Sequence, residues 1–261
     1  CDINRKNLNI DVKRLNNKVD KKTKSIIPVH LFGNPANLEE IIAFAEKYDL
    51  SIIEDVAQAF GSKLDNKYLG TFGDVGCFSF YPTKNLGGFG DGGCVVTNNQ
   101  EIAEKIDYLR NHGQTKKYYH EFVGYNSRLD NIQAKILNLK LKNIKKDLKI
   151  KIEHSKTYSK YFEENQDIVI HNSNKQPLNL YPISFTSQEK LLYAKKALEK
   201  NNISFGNYYP YGLHQFPISL HDGSILEETE WATKNIITLP IHKGLKKEDI
   251  KFIAQVLNTI P

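Results

Sequence analysis

Short apolar runs that end at polar or glycine-rich breaks alternate with stretches of near-helical apolar spacing through the first 110 residues. Lys24-Ser25-Ile26-Ile27-Pro28-Val29-His30-Leu31 reads as a strand that stops at Phe32-Gly33-Asn34-Pro35. Asn37 then caps a helix, with Glu40 three positions on in a capping-box-like pattern and Ile41, Ile42, Phe44 and Ala45 at near-helical spacing. Further strands are predicted over Ser51–Glu54, Gly76–Tyr81 and Gly93–Thr97, the last short and buried, before a helix from Gln100 to Arg110. Such alternation predicts a mostly parallel sheet covered by helices.

The pattern changes after residue 128. Leu129 to Phe162 reads as one long helix, with Leu137, Leu141, Ile144 and Leu148 along one face, placed to link two domains. Beyond it come a strand (Leu178–Phe185), a helix opened by the capping box Thr186-Ser187-Gln188-Glu189, an aromatic strand-like run (Ile203–Tyr209), a strand (Ile236–Pro240) and a final helix (Lys247–Leu257). The expected division is a large domain over 1–145 and a smaller C-terminal α+β domain over 146–261.

Composition narrows the classes. The net charge of +6 rests on lysine, since Arg5, Arg14, Arg110 and Arg128 are the arginines, and the lysines lie among glutamates, as in Ala194–Lys200. That describes a solvated surface, and no nucleic-acid partner is expected. Cys77 and Cys94 fall in apolar runs without a Cys-x-x-Cys pair, as buried reduced thiols would, and no metal is expected. No run is long enough to span a membrane and no signal-peptide core opens the chain, so a cytoplasmic protein with no membrane partner is expected. The chain has no methionine and starts directly at the approach to a strand, which reads as a fragment or as loss of the initiator before Cys1.

Two strand ends carry the chemistry. Phe78-Ser79-Phe80-Tyr81-Pro82-Thr83-Lys84 breaks into a loop holding Gly87, Gly88, Gly90, Gly92 and Gly93, and Ser51-Ile52-Ile53 ends in Glu54-Asp55-Val56-Ala57-Gln58. Ligands of α/β sheets bind beyond strand ends, and a lysine and an acid there are what pyridoxal phosphate requires. Lys84 is the candidate imine-forming lysine and Asp55 the carboxylate that keeps the pyridine nitrogen protonated. Ala57 leaves room for the ring, Gln58 offers a donor for its phenolic oxygen, and Ser79 offers a hydroxyl for the phosphate. Glu54 is expected to face away from Asp55, because adjacent strand residues point to opposite sides. Gly88-Phe89-Gly90-Asp91-Gly92-Gly93 also fits the dinucleotide fingerprint, but it runs into a strand where the fingerprint must open a helix.

With Glu54-Asp55-Val56-Ala57-Gln58, Ser79 and Lys84, Asn85-Leu86-Gly87 and Gly90-Asp91-Gly92-Gly93 in order, the chain resembles the DegT/DnrJ/EryC1/StrS sugar aminotransferases. The likeness continues through Leu109-Arg110-Asn111-His112-Gly113, Gly124 to Ala134, and Leu239-Pro240-Ile241-His242. It implies a fold type I pyridoxal phosphate enzyme, here with a partial large-domain sheet, that moves an amino group from an amino acid, typically glutamate, to a keto group of a nucleotide-linked deoxysugar. Lys84 would be the Schiff-base lysine, Asp55 the pyridinium partner, Gln58 the ring-hydroxyl contact and Ser79 a phosphate ligand. Asn126 would reach the cofactor of a second subunit in a homodimer with shared sites. Lys84-Asn85-Leu86-Gly87 followed by Gly90-Asp91 looks more like members acting on 3-keto sugars. His214, His242, Tyr208 and Tyr209 are candidates for the sugar nucleotide. The family's chains begin with a segment that contributes a phosphate-binding turn and a ring-stacking aromatic, which this sequence lacks before Cys1. That difference supports an alternative, a non-catalytic partner or regulatory protein of aminotransferase descent.

Overall fold

A computed structural model describes residues 1–219 and 223–261. In chain order the elements are β1 (Ser25–Ile26), α1 (Leu38–Tyr48), β2 (Ser51–Asp55), β3 (Lys63–Leu64), β4 (Lys67–Tyr68), β5 (Val75–Ser79), β6 (Gly93–Val96) and α2 (Gln100–Arg110). There follow β7 (Gln114–Lys116), β8 (Tyr119–His120), α3 (Asn131–Leu141), α4 (Ile144–Phe162), β9 (Ile168–Ile170), β10 (Tyr181–Phe185), α5 (Gln188–Lys200), α6 (Glu227–Asn235), β11 (Ile236–Leu239) and α7 (Lys247–Asn258).

The principal sheet has the order β1-β2-β5-β6. Its first three strands are parallel and β6 runs antiparallel to β5, with Phe78 opposite Cys94. The parallel part requires crossovers, and α1 supplies the one between β1 and β2 by burying Leu38, Ile41, Phe44 and Ala45. A second sheet, β11-β10-β9, is antiparallel throughout. β10 is its central strand and all five of its residues are buried. Tyr158 and Phe162 of α4, Leu191 and Leu198 of α5, and Ile250 and Leu257 of α7 complete one apolar core against it.

Several sequence expectations change. The run from Lys24 to Leu31 is a strand only over Ser25–Ile26, with one further bridge from Val29 to Asp55, because Pro28 has no N–H to extend the ladder. Asn37 is the N-cap of α1, but its side chain accepts no backbone N–H. The helix expected over 129–162 is two helices, broken at Lys142–Asn143; Leu137 and Ile144 are buried while Leu141 is exposed, as a break in helical phase requires. Ile203–Tyr209 forms a single bridge, Gly206 with Thr238, and no strand. β6 is not buried: it pairs only with β5, and Gly93, Cys94 and Val95 are exposed. Cys94 is therefore an exposed thiol and Cys77 a half-buried one.

Candidate active site

Asp55 is the last residue of β2, and its main chain is held from both sides. The His30 N–H donates to the Asp55 carbonyl at 3.0 Å, the Asp55 N–H to Pro28 at 2.9 Å, and the next N–H, of Val56, to Cys77 of β5 at 2.8 Å. Its carboxylate takes one local bond, from the Ala57 N–H at 2.9 Å. The neighbouring acid points the other way. Glu54 is fully buried and accepts the N–H groups of Gly70, Phe72 and Gly73 at 2.7–2.8 Å and His30 Nε2 at 3.0 Å. His30 Nδ1 accepts the Ala36 N–H, which leaves Nε2 to carry the proton donated to Glu54. Burial alone would push the Glu54 carboxyl up, but the His30 bond and the three N–H groups together hold it below the ordinary value. This pair pins the 70–73 loop under β2 and fixes the strand end that presents Asp55.

Lys84 lies on the loop after β5, in a turn closed by its own N–H to the Tyr81 carbonyl at 2.9 Å. The loop is tight at Gly87, where a Cβ would collide with the Pro82 carbonyl. From α3, Gln133 Oε1 accepts the Phe89 N–H at 2.8 Å and Lys140 Nζ donates to the Gly87 carbonyl at 2.5 Å. Desolvation pulls the Lys84 ammonium below its ordinary value, and the Asp55 carboxylate opposes that pull.

Asp55, Ala57, Gln58 and Lys84 line one cavity of about 760 Å³, together with Tyr208, Tyr209 and His214. Gln58 is buried, and its amide bridges two segments: Oε1 accepts the Phe32 N–H at 2.7 Å, and Nε2 donates to Tyr209 Oη at 3.0 Å. Phe32 holds a left-handed backbone with φ of 60°, which costs a non-glycine residue about 1 kcal/mol or more unless its surroundings enforce it. The bond to Gln58 and the donation of the Asn179 N–H to the Phe32 carbonyl do so. His214 Nε2 faces Glu230 at 3.4 Å.

Ser79, Asn126 and His242 do not line this cavity. Ser79 Oγ accepts the Tyr81 N–H at 3.2 Å. Asn126 bridges to Asn111 and accepts from Arg128 at 3.2 Å, on an exposed stretch outside the cavity. His242 is exposed at the start of the turn before α7. Sequence reasoning missed the part played by His30; a histidine four residues before Asn34 at one strand end and a glutamate at the next were its only trace.

The arrangement fits pyridoxal phosphate. An amine depressed by burial and a carboxylate with a single local donor face a common cavity, beside the small side chain of Ala57. The sequence profile of the DegT/DnrJ/EryC1/StrS aminotransferase family matches residues 1–258. The chain belongs to that family. It is 38% identical over 262 residues to a pleiotropic regulatory protein of Geobacillus stearothermophilus, covering 97% of this chain and 70% of that one. It is 35% identical over 243 residues to a UDP-N-acetyl-3-dehydro-alpha-D-glucosamine 3-aminotransferase of Acidithiobacillus ferrooxidans, covering 92% and 65%. The crystal structure of a DegT/DnrJ/EryC1/StrS aminotransferase from Brucella abortus superimposes with a TM-score of 0.89 at 31% identity, over 98% of this chain and 71% of that one. The chain thus spans about two thirds of the length of these family members. Its fold is fold type I of the pyridoxal phosphate-dependent transaminases, and pyridoxal 5′-phosphate is the family's cofactor. Among the described residues no helix is long and apolar enough to cross a membrane.

Proposed function

We propose that the protein moves an amino group from an amino acid, glutamate in the first instance, to the C-3 keto group of a nucleotide-linked deoxysugar. The observation that carries this is the common cavity of Lys84 and Asp55. Support for C-3 comes from the 35% identical relative, whose name is that of a 3-aminotransferase acting on a UDP-linked 3-dehydro sugar, and from the Lys84-Asn85-Leu86-Gly87 and Gly90-Asp91 pattern.

When bound, pyridoxal phosphate supplies the electron sink that lets an amino group pass between two carbon skeletons. The protein's share is positional and protonic. Lys84 Nζ would hold the cofactor through its carbonyl carbon and would be the group that moves a proton during transfer; partial burial lowers the pKa of that ammonium. Asp55 would keep a proton on the ring nitrogen, and Gln58, with one Nε2 hydrogen given to Tyr209, would have a second for the ring oxygen. Tyr208, Tyr209 and His214 line the same cavity and would meet the sugar nucleotide. Ser79 and the partner copy's Asn126 region would take the phosphate, in a homodimer whose large and small domains divide near residue 145. The presence of Lys84, Asp55 and Gln58 in one cavity supports catalysis over a non-catalytic partner role.

Borohydride reduction after loading with pyridoxal phosphate, followed by peptide mapping, tests the assignment. The label is expected on Lys84, and Lys84→Ala is expected to take none and to lose transamination. A label elsewhere, or full activity in Lys84→Ala, would overturn it.

A further inference from the structure

Helix α4 buries a lysine directly beside the Lys84 loop. Lys151 is 8% exposed and, among the described residues, has no ion-pair partner. Its Nζ donates to Asn85 Oδ1 at 2.6 Å. The amide of that same asparagine, the residue next to Lys84, donates to the Phe60 carbonyl at 3.2 Å and the Pro177 carbonyl at 2.7 Å.

These contacts depend on one another. An ammonium has no acceptor to offer, so Lys151 admits only one orientation of the Asn85 amide, oxygen toward α4. The NH₂ group is then turned onto two carbonyls that need donors. Phe60 lies five residues beyond Asp55, and Pro177 leads into β10, so the three bonds tie the residue after Lys84 to the Asp55 segment, to the approach to the second sheet and to α4. The charge also polarises the amide and strengthens both of its outgoing bonds. A purely packing role at this place would be filled at lower cost by an apolar side chain, because a buried ammonium loses its hydration.

We propose that Lys151 is a positioning residue for the cofactor lysine: acting through Asn85, it fixes the Lys84 loop to α4, to the segment that follows Asp55 and to the approach to β10. This rests on the reading of Lys84 as the cofactor lysine. Further along the same loop, Gly87 and Phe89 are held by Lys140 and Gln133 of α3, so α3 and α4 both bind the loop that follows Lys84.

Three variants of the full chain test it. Lys151→Met keeps the stem and removes the donor; Asn85→Asp keeps an acceptor for Lys151 but has no N–H for Phe60 or Pro177; Lys151→Arg restores a cationic donor. Without cofactor, backbone amides of residues 84–90 are expected to exchange at least ten-fold faster in the first two variants, and near the parental rate in Lys151→Arg. With pyridoxal phosphate, borohydride trapping on Lys84 is expected to slow at least ten-fold in the same two and to recover in Lys151→Arg. Parental exchange and trapping in a folded Lys151→Met protein would overturn the inference. Should Lys151→Met not fold, the same parental result in Asn85→Asp overturns it. A label that maps elsewhere in the parent would instead refute the cofactor assignment, while the exchange measured without cofactor still decides the role of Lys151.

Discussion

Glu54 and Asp55 are adjacent carboxylates whose surroundings give them opposite work. Glu54 is fully buried and saturated by three N–H groups and His30, whereas Asp55 lines the cavity with one bond to the Ala57 N–H. Glu54→Gln would turn an amide NH₂ toward groups that are all donors, and a loss on the order of 3 kcal/mol in unfolding free energy is expected. Because the folded state holds the Glu54 carboxyl below its ordinary 4.5, its contribution is complete above about pH 4.5 and is lost as pH falls through the folded value. The difference between parent and Glu54→Gln in denaturant titrations should therefore shrink on acidification. Asp55→Asn should keep nearly parental stability and lose turnover on the order of 10²-fold or more, since a neutral amide cannot hold the ring nitrogen protonated. Equal stability of Glu54→Gln and parent, or activity within a few-fold in Asp55→Asn, would contradict this division.

At the scale of elements, α5 is capped by a local side chain and α1 is not. Ser187 accepts the Lys190 N–H at 3.2 Å at the start of α5, one residue after the Thr186 that the capping-box pattern favoured. Asn37 has the right chemistry for α1 but its side chain makes no such bond; the adjoining Ala36 N–H is committed to His30. Ser187→Ala should accordingly cost about 1 kcal/mol and Asn37→Ala only a few tenths, a contrast that chemical denaturation resolves. The same distinction explains what could be read in the chain. The ends of β2 and β5, with Asp55 and the Lys84 loop, are written in contiguous apolar runs and glycines, and Glu54 facing away follows from strand alternation. The His30–Glu54 pair and the Lys151–Asn85 contact are set by residues 24 and 66 positions apart, and no local pattern announces them. The hairpin of β3 and β4 was legible in principle, since Asp65 and Asn66 both take positive φ in the turn that joins the strands.

At the scale of the molecule, the stretch around Asn126 lies outside the cavity of Lys84 and exposes apolar side chains in succession: Tyr118 at 81%, Val123 at 95% and Tyr125 at 67%. The Asn111–Asn126 bridge sets the backbone register there, and Arg128 donates to the side-chain Oδ1 of both. An exposed aromatic row with an ordered polar backbone is the surface that a second copy would cover, and a two-fold pairing would carry each Asn126 toward the other copy's site. Lys84→Ala and Asn126→Ala proteins should each be nearly inactive alone. Mixed under conditions that exchange subunits, half of the dimers carry one of each, with one site bearing both lesions and the other neither, so activity should recover to about a quarter of the parental value by random pairing. Sedimentation of the parent as a monomer at assay concentration, or exchange verified by mass with no recovery, would show instead that each chain completes its site alone.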